Sequence, residues 1–112
     1  MSEYQQAARL FHILSHPARL QILDVLRRGE ECVCHIQSVL GKRQAYVSQQ
    51  LMVLRDAGLV DSRREGLQVF YWLTTAEPAL NDLLARALGP VQERAHCTET
   101  ACPHCQLDAD RH

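Results

Sequence analysis

The sequence predicts a mainly α-helical fold of five helices and one two-stranded β-hairpin, followed by a short polar tail. Three observations predict it. Apolar residues recur at helical spacing in five separate stretches. The period changes once, in the run Gln-Val-Phe-Tyr-Trp-Leu at 68–73, which is rich in β-branched and aromatic residues. Gly29, Gly41 and Gly58 stand where helices should stop. The 112 residues suffice for one domain, read here as residues 1–90, with the tail at 91–112. A core of this size buries a low fraction of its surface, so support from a second chain is expected.

Taken in order, Ser2 and Gln5 form a capping box that opens the first helix. Ala7, Leu10, Phe11 and Leu14 follow at i, i+3, i+4 and i+7, one apolar face. Pro17 fits the first turn of a second helix, where its missing N–H is not needed. Ile22, Val25 and Leu26 face inward there, and Gly29 ends it. A short third helix begins near Cys32 to Cys34, with Ile36, Val39 and Leu40 as its apolar face and Gly41 at its end. A fourth runs from about Gln44 to Ala57 on Val47, Leu51 and Leu54, with Gly58 as a left-handed cap and Leu59 packing back. Val60 to Arg64 and Gln68 to Leu73 form the hairpin, joined at Glu65-Gly66-Leu67. The last helix spans roughly Glu77 to Gly89 on the stripe Leu80, Leu83, Leu84, Ala87 and Leu88. The tail is expected to be weakly ordered unless a metal or a partner chain fixes it.

Composition narrows the function. The net charge is −1, against a non-specific nucleic-acid coat built on many phosphate contacts. No apolar run approaches the ~20 residues of a membrane helix. The polar start lacks the basic and apolar regions of a signal peptide, so a cytoplasmic protein is expected. Five cysteines, an odd number, in a reducing compartment argue against a disulfide scaffold and for metal binding or thiol chemistry. No paired carboxylates, phosphate loop or Ser/His/Asp set points to an enzyme or to a small organic substrate.

The third and fourth helices meet at Gly41-Lys42-Arg43, the spacing of a helix-turn-helix. The N-terminal part of the second helix of such a pair lies at base edges in the major groove. Here it offers Gln44, Ala45, Tyr46, Ser48, Gln49 and Gln50. Gln can bond adenine in two places, and small or aromatic groups touch the thymine methyl. Lys42 and Arg43 before the helix, with Arg63 and Arg64 near the hairpin tip, are placed to hold phosphates.

Three stretches resemble the ArsR/SmtB family of winged-helix metalloregulators. They are Leu14-Ser15-His16-Pro17-Ala18-Arg19-Leu20-Gln21-Ile22-Leu23, then Val47 through Val60 (VSQQLMVLRDAGLV), then Arg64 through Leu73, which is similar to the family's wing. The resemblance covers about residues 5–88. It implies a winged helix-turn-helix homodimer joined by its first and last helices. Ala7, Leu10, Phe11, Leu80, Leu84 and Leu88 are then interface candidates, beside the plainer reading as core. Two reader helices one DNA turn apart imply an inverted-repeat operator.

Glu31-Cys32-Val33-Cys34-His35-Ile36 resembles the Cys-x-Cys box of the family's arsenic, cadmium and lead sensors. A helix N-terminus favours thiolate, and thiolates select soft ions. The third cysteine that some arsenic sensors carry in this helix is absent; Gln37 and Ser38 occupy that region. Cys97, Cys102 and Cys105 could complete an S3 or S4 site. Arsenite or antimonite would take three thiolates, and cadmium, lead or zinc three or four, with As(III) favoured. The tail could instead hold its own zinc with His96 or His104. The last helix has Glu77, Asn81 and Asp82 but no His, against a hard-ligand site there, and His12, His16 and His35 are read as structural or exposed. The alternative on the same fold is a thiol-redox or persulfide sensor using the same cysteines.

Overall fold

The computed structural model describes residues 2–74 and 78–91. Five helices and three strands follow in the order α1 (Glu3–Leu14), α2 (Pro17–Leu26), β1 (Glu31–Cys32), α3 (Val33–Leu40), α4 (Gln44–Asp56), β2 (Val60–Glu65), β3 (Gln68–Leu73) and α5 (Ala79–Leu88).

The predicted caps are formed. The Ser2 hydroxyl accepts the Gln5 amide hydrogen at 3.2 Å, and Gln5 Oε1 accepts that of Ser2 at 3.0 Å. Pro17 opens α2 behind an extended His16. Gly41 closes α3 at φ 65°, and its amide donates to the Gln37 carbonyl at 2.9 Å. That left-handed turn sets the angle between α3 and α4, and a Cβ there would be strained. Beyond α4, the Leu59 amide reaches the Leu54 carbonyl at 3.0 Å, as in a Schellman cap. Leu59 is buried.

Ile22 and Leu23 of α2, Ile36 of α3, and Val47, Leu51 and Leu54 of α4 form the centre of one core. Leu80 and Leu84 of α5 join it, at 2% and 1% exposed. The guanidinium of Arg27 ties the end of α2 to the end of α5 by donating to the Gly89 carbonyl at 2.9 Å. These contacts fix the helix-turn-helix pair against the rest of the protomer.

The strand β1 was absent from the sequence expectation. It pairs antiparallel with β3 (Glu31↔Tyr71, Cys32↔Phe70), making a three-stranded sheet in the order β1-β3-β2. Two residues are too few to show alternation, so no period announces such a strand. The hairpin is one residue longer than expected: Glu65 pairs with Gln68, leaving only Gly66-Leu67 in the turn. Residue 77 and the tail cysteines lie outside the described residues.

Candidate nucleic-acid interface and thiol site

The reader face is built by the inward turn of Val47, Leu51 and Leu54, each fully buried. Anchoring that stripe forces the opposite face of α4 outward. Gln44, Tyr46 and Gln49 are exposed, Ser48 is half-buried, and Lys42 and Arg43 stand exposed ahead of the helix. Gln50 differs from the expectation. Its Oε1 accepts from Arg19 Nε at 2.8 Å, bracing α4 against α2, and it is half-buried. Its acceptor is occupied by the scaffold, so Gln50 braces the reader face. The matching donor, Arg19, carried no signal at a distance of 31 residues.

Arg63, expected as a phosphate ligand, is engaged within the protomer by two carboxylates. It is ion-paired to Glu30 and, at 3.1 Å, to Glu65. Its guanidinium carbon lies 4.9 Å from the Phe70 ring centroid and 6.0 Å from that of Trp72. The Glu30 carboxylate first, then that of Glu65, holds the Arg63 guanidinium above its ordinary pKa. Both neighbours already spend its positive charge. Arg64, next to it, is exposed.

The thiol site sits where α3 begins. Cys32 is fully buried, caps α3, and accepts the His35 amide hydrogen on Sγ at 3.4 Å. Cys34 is 8% exposed, and its Sγ lies 2.8 Å from that of Cys32. The Cys34 thiol also donates toward Gln68 Oε1 at 3.6 Å, and Phe70 packs against the two cysteines. Cys32 is part of a disulfide. Its partner is not Cys34, whose sulfur is beyond the ~2.05 Å of an S–S bond. The sequence argued against disulfides as a scaffold; the structure has one at Cys32, whose other half lies outside the described residues. Sequence reasoning also left His35 unassigned between structural and exposed. It is buried, with Nε2 3.8 Å from Glu31 Oε2, itself 2% exposed.

As a soft-ion site the box would supply two donors once Cys32 is reduced. Two thiolates on one ion at Zn–S ≈ 2.3 Å with tetrahedral angles stand about 3.8 Å apart. The observed 2.8 Å therefore has to open by about an ångström. No group of three or more His, Cys, Asp or Glu able to hold a metal occurs among the described residues. The tail cysteines proposed to complete it, Cys97, Cys102 and Cys105, lie outside them.

Of the interface candidates, Leu80 and Leu84 are spent on the protomer's own core, so they are corrected to core residues. Leu10 is half-buried, while Ala7, Phe11 and Leu88 are exposed, Phe11 at 57%. Tyr4 at 88% and Val91 at 47% extend that exposed apolar set. No described helix is long and apolar enough to cross a membrane.

A helix-turn-helix with an outward polar reader face and a β-hairpin beside it defines a winged helix-turn-helix DNA-binding protein. Residues 16–62 match the family described as bacterial regulatory protein, arsR family. The chain is 46% identical over 74 residues to the biofilm growth-associated repressor of Agrobacterium fabrum, which covers 66% of this chain and 63% of that protein. The match thus spans a little under two thirds of that relative's length. HlyU from Vibrio cholerae N16961 superposes with a TM-score of 0.71 at 36% identity, covering 80% of this chain and all of that one. A structure of the same protein described as reduced gives 0.70 at 36% identity, covering 78% and 93%. The homodimeric winged helix-turn-helix DNA-binding domain Mb0332 from Mycobacterium bovis gives 0.64 at 34% identity, covering 78% and 83%. The chain belongs to the ArsR family of winged helix-turn-helix transcription regulators.

Proposed function

We propose that this protein is a transcriptional repressor that binds an inverted-repeat operator as a homodimer and releases it when Cys32 is oxidised. One observation carries the thiol part. Cys32, a disulfide cysteine, is at once the cap of the first helix of the helix-turn-helix and a rung of the ladder to β3. Chemistry on that sulfur therefore acts on both DNA-contacting units. Lys42, Arg43, Gln44, Tyr46, Ser48, Gln49 and Arg64 contact DNA in this reading. Ala7, Leu10, Phe11 and Leu88 lie in the dimer interface, and the homodimeric relative supports that assembly. The mechanism is linkage: the oxidised form has lower affinity for DNA by a coupling of typically ~1–3 kcal/mol.

The convergence of two sulfurs in one buried pocket favours a second reading, release by a soft ion such as As(III), Cd(II), Pb(II) or Zn(II). Cys32, Cys34 and one or two of Cys97, Cys102 and Cys105 would be its ligands. Fluorescence anisotropy on a labelled duplex from the protein's own promoter region separates the two. Diamide is expected to weaken binding by about 5–150-fold, reversed by a phosphine reductant. Release by arsenite or cadmium with no effect of oxidant would overturn the thiol reading, and no binding at low salt would sink the repressor itself.

A further inference from the structure

We propose that Cys34 is an exchange thiol: it attacks the Cys32 disulfide, displaces the first partner and leaves a Cys32–Cys34 disulfide. The proposal rests on the thiol reading above and goes beyond it, since that reading needs Cys32 alone.

Geometry carries it. Thiol–disulfide exchange needs an attacking sulfur within reach of the disulfide sulfur. Cys34 Sγ is 2.8 Å from Cys32 Sγ, so little further approach is required. Cys32 precedes α3 as its cap and Cys34 is the second residue within it, which turns both side chains to one end of the helix. The first-turn amides there favour a developing negative charge. Gln68 Oε1 accepts a hydrogen bond from the Cys34 thiol at 3.6 Å and orients the sulfur. Both cysteines are buried and Phe70 packs against them, so a small-molecule thiol reaches Cys32 less readily than its neighbour does.

The step balances without a second oxidant. The Cys34 thiolate forms a bond to Cys32 Sγ. The bond between Cys32 Sγ and its first sulfur partner breaks, and the electron pair leaves with that sulfur as a thiolate. The proton given up by Cys34 ends on the departing thiol. The oxidant that made the first disulfide is the only one consumed. The first partner is another cysteine of the chain, outside the described residues.

Tryptic mapping tests this on the full chain. Arg28 and Lys42 bound a peptide with no internal Lys or Arg, so Cys32 and Cys34 share the peptide 29–42. The protein is exposed briefly to diamide, desalted, and sampled over time by acid quench, alkylation and non-reducing digestion. The expected course is that 29–42 first appears linked to peptide 95–111, which carries Cys97, Cys102 and Cys105. With no oxidant left, it then becomes an unlinked, unalkylated peptide two hydrogens lighter, while the displaced thiol becomes alkylated. Cys34→Ser and Cys34→Ala should hold the first disulfide at least about tenfold longer. A first disulfide that persists in the wild type with Cys34 alkylated overturns the exchange step and leaves the thiol reading standing. Absence of any disulfide at Cys32 overturns both.

Discussion

The Cys32 sulfur accepts the His35 amide hydrogen, so Ser at this position keeps a cap while removing the redox chemistry. Compared with the reduced wild type, Cys32→Ser is expected to bind the operator normally, to unfold within about 1 kcal/mol, and to ignore oxidant, as anisotropy and urea titration together would reveal. Nearby, Glu31 and His35 are both buried and face each other. Emptying a buried polar position disturbs the groups packed around it, which costs about 1–3 kcal/mol. Glu31→Ala should therefore lower the urea midpoint sharply, and an unchanged midpoint would show that the pair is energetically idle. The spacing Cys-x-Cys was legible in the sequence. The burial of Glu31 was not, because its neighbours on β3 lie some forty residues away and the strand that brings them together is only two residues long.

Among the elements, the hairpin carries the largest departure from sequence expectation. Arg63 and Arg64 are adjacent and read alike as phosphate ligands, yet alternation on β2 sends them to opposite faces. Arg63 thereby meets Glu30, Glu65 and Phe70. Its raised pKa has no bearing on pH dependence near neutrality. The contribution of a group whose folded pKa is raised is present below its unfolded value and lost only as pH climbs through the folded one. Its bearing is on charge. Glu30→Gln releases part of Arg63 toward DNA, so operator affinity should rise about two- to fivefold and the salt dependence should steepen by up to about one counterion. Lower affinity in that variant would mean that Glu30 positions the wing instead of restraining it. At the turn before α4, Gly41→Ala forces a side chain into φ 65° and should cost about 1 kcal/mol or more, seen as an earlier thermal midpoint.

For the whole molecule, the helical order, the reader face and the wing followed from period and glycine placement, since each is a local property of the chain. What period alone could not divide was the apolar stripe of α5. Leu80 and Leu84 face the protomer's core, while Leu88, one turn on, is 41% exposed. The dividing line depends on where α2 ends against α5, fixed by Arg27 reaching the Gly89 carbonyl. The exposed Phe11, Tyr4, Leu88 and Val91 would be covered in the proposed dimer. Phe11→Glu is expected to shift the protein to monomer in sedimentation at micromolar concentration and to weaken operator binding at least about tenfold, because each half-site must then be bound alone. A dimer that survives this change would place the interface elsewhere.

The His35 amide is tied to a sulfur, and sulfur is a weak acceptor. Each change of state at Cys32 alters what that one N–H can bond to. Deuterium uptake at this single backbone position should thus keep a running record of the oxidation state, readable with neither DNA nor a dye present. Uptake at the amides that follow along α3 would then show how far a change at the cap reaches toward Gly41.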